Sequence, residues 1–244
     1  MHAEPDVPAG LVEALREARR FFVLTGAGVS AESGIPTFRD AQTGLWAKYD
    51  PLQLATPEAF QSDPKLVWRW YRWRRELAAD AEPNPGHIAL VELERLAEDF
   101  TLVTQNVDGL HARAGSRELV EFHGNLFVDR CFSCGARGDA GDDELPVCSA
   151  CGGLLRPGVV WFDESIPDEA SHRAVEAARH CDAMLCVGTS SSVFPAAALT
   201  DIAHQADALT VEINPQPTRG PQFDYVLPYP SGLILPKLVA SLNH

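Results

Sequence analysis

Five short apolar runs punctuate the chain: Phe21 to Thr25, Thr101 to Gln105, Glu118 to Phe122, Ala183 to Thr189 and Leu209 to Ile213. Each is too short for a helix and is bounded by turn or helical sequence, which is the pattern of strands buried on both faces. Between them lie stretches at helical spacing, as in residues 11–20, where Leu11, Leu15 and Ala18 share one face. Strands alternating with helices predict an α/β fold, a mostly parallel sheet with helices on both faces. The residues that leave each run are equally ordered. Gly26-Ala27-Gly28, Asn106-Val107-Asp108-Gly109, His123-Gly124, Gly188-Thr189-Ser190 and Asn214-Pro215 come at the ends of the five strands. In an open parallel sheet such exits share one edge, where ligands bind. A polar, glycine-rich turn is ordinary at any single strand; five on one edge describe a composite crevice.

Two stretches interrupt this pattern and predict a smaller lobe. One is a helical insert over residues 40–85, rich in aromatics and closed by Pro83-Asn84-Pro85-Gly86; the other, 128–157, holds four cysteines. The remaining segments, 1–39, 86–127 and 158–244, would form the sheet domain. Within the first insert Leu66, Trp70, Trp73 and Leu77 fall on one helical stripe, read as core. Arg69, Arg72, Arg74 and Arg75 read as a solvated basic face, and Tyr71 and Arg74, three apart, share a neighbouring face. In the second insert Cys131-x-x-Cys134 and Cys148-x-x-Cys151 are separated by 13 residues, the spacing of a Cys₄ zinc ribbon. A closed four-thiolate site has no open position for water, so one structural Zn²⁺ is expected and the chemistry lies elsewhere. The alternative, reactive dithiols or a disulfide frame, requires an oxidising compartment. Cys181 and Cys186 flank a predicted strand and read as core residues.

Charge removes several classes. Twenty Lys and Arg against 34 Asp and Glu give a net charge of −14, which disfavours nucleic acid and anionic lipid as partners. The loop between the cysteine pairs is itself acidic, which argues against a nucleic-acid-binding ribbon. No stretch approaches the roughly 20 apolar residues of a membrane span. Met1 to Gly10 lacks the basic-then-apolar pattern of a signal peptide, so a cytoplasmic location is expected.

The glycine turn after the first strand offers bare backbone amides to a pyrophosphate. A dehydrogenase fingerprint would place its third glycine three residues after the second, whereas Gly28 is followed by Gly34. The longer run Gly26-Ala27-Gly28-Val29-Ser30-Ala31-Glu32-Ser33-Gly34-Ile35-Pro36-Thr37-Phe38-Arg39-Asp40 resembles the signature of the sirtuins, the NAD-dependent protein deacylases. Thr104-Gln105-Asn106-Val107-Asp108-Gly109-Leu110-His111, Phe122-His123-Gly124, both cysteine pairs, Val159-Val160-Trp161-Phe162, Gly188-Thr189-Ser190 and Ile213-Asn214 resemble further family motifs in order.

The resemblance implies a Rossmann-like NAD-binding domain and consumption of NAD: nicotinamide is released and the acyl group of a modified lysine ends on ADP-ribose. By that resemblance Gly26, Ala27, Gly28 and Ser30 hold the pyrophosphate, Phe38 covers the reacting ribose, and Arg39 orders the loop over NAD. Gln105 binds ribose hydroxyls, Asn106 and Asp108 bound the nicotinamide pocket, and Gly188, Thr189, Ser190, Asn214 and Ser231 surround the adenosine half. His123 is the expected general base, an imidazole able to take a proton near neutrality, with Asn106 the second catalytic residue. His87 and His111 occupy no catalytic position and read as structural. Val160, Phe162 and Glu164 belong to the segment that pairs with the substrate peptide; the family usually has glycine where this chain has Asp163. The pair Tyr71 and Arg74 resembles that of sirtuins removing succinyl, malonyl or glutaryl groups, since a guanidinium and a phenol suit a carboxylated tail. The expected partners are acyl-lysine proteins. The competing readings are a predominant deacetylase, a protein ADP-ribosyltransferase, an NAD-dependent dehydrogenase and a zinc-ribbon binding module.

Overall fold

The computed structural model describes residues 6–37, 49–190 and 193–243. A six-stranded parallel sheet is built from β1 (Arg20–Thr25), β2 (Asp99–Thr104), β3 (Leu119–Glu121), β7 (Ala183–Val187), β8 (Leu209–Ile213) and β9 (Tyr225–Leu227). Its order is β3-β2-β1-β7-β8-β9. The register pairs Thr25 with Thr104 and with Val187, so the exits of the central strands end level with one another. The five strands expected from the apolar runs are present; β9, three residues long, is an edge strand with no apolar run of its own.

Alternation along each strand sends side chains to two cores. Phe21 and Val23 of β1 join Leu102, Leu185 and Val211 on the face covered by α1 (Ala9–Glu17), α6 (Pro85–Leu96) and α10 (Ser231–Leu242). Phe22 and Leu24 join Val103, Met184 and Cys186 on the face covered by α8 (Asp168–His180) and α9 (Ala198–Gln205). Cys181 lies in this second core as well. The short helices α2 (Ala27–Ala31) and α7 (Leu110–Ala114) follow the exits of β1 and β2.

A second, antiparallel sheet of β4 (Gly124–Cys131), β5 (Arg137–Gly138) and β6 (Leu155–Val159) forms the smaller lobe together with α3 (Pro51–Leu54), α4 (Pro57–Ser62) and α5 (Pro64–Asp80). Gly124 begins β4 directly after His123, with φ of 78°, and a Cβ there would collide with the Gly158 carbonyl oxygen. Only glycine lets the chain turn from the large sheet into the small one at that point.

The buried face of α5 is Val67, Trp68, Trp70, Tyr71 and Ala78, whereas Leu66 and Trp73 are only partly buried. This corrects the simple stripe: the helix is packed on more than one side, so a single line of apolar residues underestimates what is covered. The basic face is corrected too. Lys65 pairs with Glu144 at 2.9 Å, Arg75 with Asp129 at 2.5 Å, and Arg72 donates to the Asp143 carbonyl. The acidic loop between the cysteine pairs is thus drawn onto α5. Among the described residues no helix is long and apolar enough to cross a membrane.

Candidate active site

Because all six strands run parallel, the five motif-bearing exits converge on one edge. The turns after β1 and β7 interlock there: Gly28 N–H donates to the Gly188 carbonyl at 2.8 Å, and a Cβ on Gly28 would lie 2.7 Å from that same oxygen. Side chains at these turns could not be accommodated, so bare backbone at the head of α2 is a packing requirement as well as a binding feature. Ala27 and Gly28 remain half-exposed.

A buried polar cluster links α2 to the exit of β2. Asn106 Nδ2 donates to the Gly26 carbonyl and to Ser30 Oγ, both at 3.0 Å, and Ser30 Oγ donates to Asp108 Oδ2 at 2.7 Å. Asp108 Oδ1 accepts from Leu110 N–H at 2.9 Å. Asn106 is fixed from the backbone side as well, since its N–H donates to Thr104 Oγ1 at 3.0 Å. Its amide nitrogen is fully engaged, which leaves Oδ1 as the atom it can offer a ligand. Next to it, Gln105 Nε2 donates to Thr189 Oγ1 at 3.0 Å, and Asn214 Nδ2 donates to the Thr189 carbonyl at 2.9 Å. Gln105, Thr189 and Asn214 thereby tie the exits of β2, β7 and β8 together, with half-buried Ser190 following. Ser231 lies apart at the start of α10, where its hydroxyl donates to Glu32 Oε1 at 2.8 Å. Phe38 and Arg39 lie outside the described residues.

His123 stands beyond β3, with Nδ1 3.1 Å from the Gln105 carbonyl oxygen. A carbonyl only accepts, so Nδ1 carries the proton and Nε2 is the basic nitrogen. Burial lowers the pKa of the imidazole, against an opposing push from that carbonyl. The ring is therefore held neutral, in the tautomer a general base requires.

Two histidines expected to be structural form a buried pair behind this edge. His111 Nε2 is 2.9 Å from Thr25 Oγ1, which itself donates to Thr104 Oγ1 at 2.8 Å. His87 Nδ1 accepts from Asn84 N–H at 3.3 Å, and the two rings lie 4.7 Å apart. The chain of contacts from His87 through Thr25 to Thr104 ends on the backbone of Asn106.

On the small-lobe side, Tyr71 is fully buried and Arg74 half-buried. The Arg74 guanidinium lies 5.0 Å from the Trp70 ring centre and 5.7 Å from that of Tyr71. Desolvation lowers the pKa of Arg74, opposed by Tyr71 and by the negative field of Asp108, which places the guanidinium within electrostatic reach of the strand-exit cluster. Tyr71 Oη also accepts from Trp161 Nε1 at 2.8 Å.

The segment expected to pair with a peptide is already bonded inward through several N–H groups: Val160 to the His123 carbonyl at 2.8 Å and Phe162 to the Ala55 carbonyl at 2.9 Å. The Phe162 ring is exposed. Glu164, expected at the peptide, directs its carboxylate into the lobe instead. It binds Arg156 through both oxygens at 2.5 and 3.0 Å, Arg130 at 3.2 Å, and the Trp161 N–H at 2.8 Å. Burial alone would raise its pKa, but Arg156, the Trp161 N–H and Arg130 outweigh that and hold it below the usual carboxylate range. Asp163 adopts a φ of 67°, the left-handed conformation that glycine takes in the family pattern, and aspartate is among the few residues that tolerate it. Arg156, buried between Leu155 and Pro157, went unnoticed in the sequence; a lone arginine in an apolar strand was the available signal.

The four cysteine sulfurs lie within 4.8 Å of one another, with Cys131 to Cys151 at 3.4 Å and Cys134 to Cys148 at 3.8 Å. A tetrahedron with Zn–S bonds of about 2.3 Å has edges of about 3.8 Å, so the cluster fits zinc. The strand-exit edge likewise fits a dinucleotide. It combines close-approach backbone with carboxamides, hydroxyls and one carboxylate, groups that bind ribose and carboxamide.

Comparison with known proteins agrees. The sequence profile of the Sir2 family matches residues 26–195. The chain is 51% identical over 242 residues to NAD-dependent protein deacylase 1 of Pseudomonas aeruginosa, covering 94% of this chain and 96% of that one. It is similar to a solved complex of a Sir2 homologue with NAD, with a TM-score of 0.92, 44% identity and coverage of 100% and 96% of the two chains. It is also similar to a mutant Sir2 homologue bound to 2′-O-acetyl ADP ribose, with a TM-score of 0.91, 45% identity and 97% coverage of each. With this strand-exit edge, this cysteine cluster and these relatives, the chain belongs to the Sir2 family.

Proposed function

We infer that the acyl group favoured by this NAD-dependent protein deacylase is a short dicarboxylic one, succinyl or malonyl. The observation that carries the inference is the Arg74 guanidinium 5.7 Å from the ring centre of buried Tyr71, a phenol and a guanidinium side by side within the electrostatic reach of Asp108. A desolvated guanidinium pairs with a carboxylate more strongly than one in water.

The rest of the site serves the reaction common to all acyl groups. Bound NAD supplies an electrophilic ribose carbon on departure of nicotinamide. Asn106 and Asp108, locked to Ser30 and Gly26, bound the nicotinamide pocket and orient the carboxamide. Gln105, Thr189 and Asn214 hold hydroxyl groups at the joined exits. His123 Nε2 takes a ribose hydroxyl proton, with Nδ1 anchored on the Gln105 carbonyl. Val160 and Phe162 flank the peptide that delivers the acyl-lysine, while Glu164 keeps that segment in place. Acetyl-lysine is a second substrate, a reading supported by the acetylated ADP-ribose held by a structural relative.

The test incubates the protein with NAD and matched succinyl- and acetyl-lysine peptides, measuring nicotinamide and deacylated peptide. Arg74→Met lowers the succinyl-to-acetyl ratio of kcat/KM by roughly 10- to 100-fold, the range of hydrogen bonds to charged groups. An unaltered ratio removes the acyl assignment.

A further inference from the structure

We infer that Trp161 is a positioning residue for acyl selection: its indole N–H fixes the Tyr71 hydroxyl as a donor to the carboxylate of the acyl tail. This rests on the acyl reading above. The Tyr71 oxygen accepts from Trp161 Nε1 at 2.8 Å, and the Arg74 guanidinium lies 5.7 Å from the Tyr71 ring centre. Indole and guanidinium nitrogens donate only, and a phenol has two acceptor positions and one proton. Neither neighbour can receive the phenolic proton, which is therefore left for a third partner that accepts. A terminal carboxylate is such a partner; an acetyl methyl is not. Burial pushes the phenol pKa up to about 12, partly offset by Arg74 and Trp161, so the proton stays in place at neutral pH.

The indole is itself clamped. The Arg156 guanidinium lies 3.2 Å from its ring centre, and Phe60 stands 5.4 Å away, centre to centre. Glu164 bonds both to Arg156 and to the Trp161 backbone N–H, so ring and backbone are held by one half-buried carboxylate. The direction of the Nε1–H bond is thereby set from the small lobe, independently of any ligand.

Trp161→Phe keeps an aromatic ring beneath Arg156 and deletes the donor. The expected result is a fall of about tenfold in succinyl kcat/KM, expressed mainly in KM, with a much smaller change for acetyl-lysine. In a Tyr71→Phe background the same substitution leaves the succinyl-to-acetyl ratio where Tyr71→Phe alone put it. Should Trp161→Phe fold poorly, a benzothiophene amino acid at position 161 replaces N–H by sulfur with little change of shape and carries the same expectation. An equal fall for both substrates, or additive effects of the two substitutions, overturns the inference. An unaltered ratio does so as well, and Arg74→Met then separates the cases. If that variant still collapses the ratio, only the role of Trp161 fails; if it does not, the acyl reading fails with it.

Discussion

Acid should weaken this protein through a histidine pair that takes no part in catalysis. The hydroxyl proton of Thr25 goes to Thr104, so His111 Nε2 must donate to Thr25 and its Nδ1 is a bare acceptor. His87 Nδ1 accepts from Asn84 N–H, so its Nε2 carries a bare proton. These two remaining atoms, His111 Nδ1 and His87 Nε2, have no hydrogen-bond partner among the described residues. With the rings 4.7 Å apart, a proton added to His111 Nδ1 would be buried without an acceptor and beside a second imidazole, so the pair is favoured neutral. The negative groups that bear on the pair are Asp108 and Glu32, both acting on His87, and burial outweighs them.

Burial, reinforced by His87, drives the His111 pKa from 6.5 to about 3. A neutral-only site in the fold means that the unfolded chain takes up the proton first, so stability is full above pH 6.5 and falls as the pH drops toward 3. At pH 5 the loss from this residue is about 2 kcal/mol relative to pH 8. His87 shifts in the same direction and adds to it. The assay is urea unfolding of the protein and of His111→Gln from pH 8 to pH 5. The variant is the weaker at pH 8, having lost the Thr25 contact and some packing, and the gap narrows by about 2 kcal/mol at pH 5. Zinc release affects both proteins alike and cancels in the difference. A gap independent of pH would refute the argument.

The catalytic assignment predicts that His123→Ala lowers kcat by roughly 10²- to 10⁴-fold. Since burial lowers the His123 pKa, the acid limb of kcat/KM for the unaltered protein should fall below the ordinary histidine value, and a limb above neutrality would point to a different base. At the turn after Phe162, Asp163→Gly should keep stability within about 1 kcal/mol, while Asp163→Val should cost about 1–2 kcal/mol because its φ of 67° suits neither a branched nor a bulky residue. Unfolding midpoints that do not distinguish the two variants would remove the strain argument.

What the sequence disclosed and what it concealed follow from the range of the forces involved. The strands of the large sheet are buried on both faces, so each shows as an apolar run, and Leu209 to Ile213 matches β8 residue for residue. The exits were legible because parallel topology forces them to one edge. In contrast, β4 is half-exposed and carries Asp129 and Arg130, so no periodicity marks it. The α5 stripe misled because Trp68 and Tyr71 face neighbours a helical wheel does not contain. Among the site residues, Asn106, Asp108 and Ser30 were expected separately, yet their mutual hydrogen bonds are properties of the fold. The bonding of Glu164 into the small lobe was hidden for a similar reason, since its partner Arg156 comes from β6 and looks in sequence like an interruption.

The opposition between the charge of the whole chain and that of the acyl site resolves once distance is considered. A net charge of −14 acts on an approaching acidic peptide over many ångströms, but at physiological salt it is screened beyond about 8 Å. Inside that distance, on the proposed acyl reading, the adjacent Trp70, Tyr71 and Arg74 govern. Arg74 is already half-withdrawn from water in the fold, so on the proposed reading an entering carboxylate meets a guanidinium that has lost part of its hydration before pairing. Acetyl-lysine forgoes the pairing and meets no added obstacle. On the proposed acyl reading, selection works through stabilisation of the carboxylated tail, with no exclusion of the neutral one. On that reading the ratio of the two activities measures how well Tyr71 and Arg74 are positioned, and the residue proposed to orient Tyr71 contributes to specificity along with the pair.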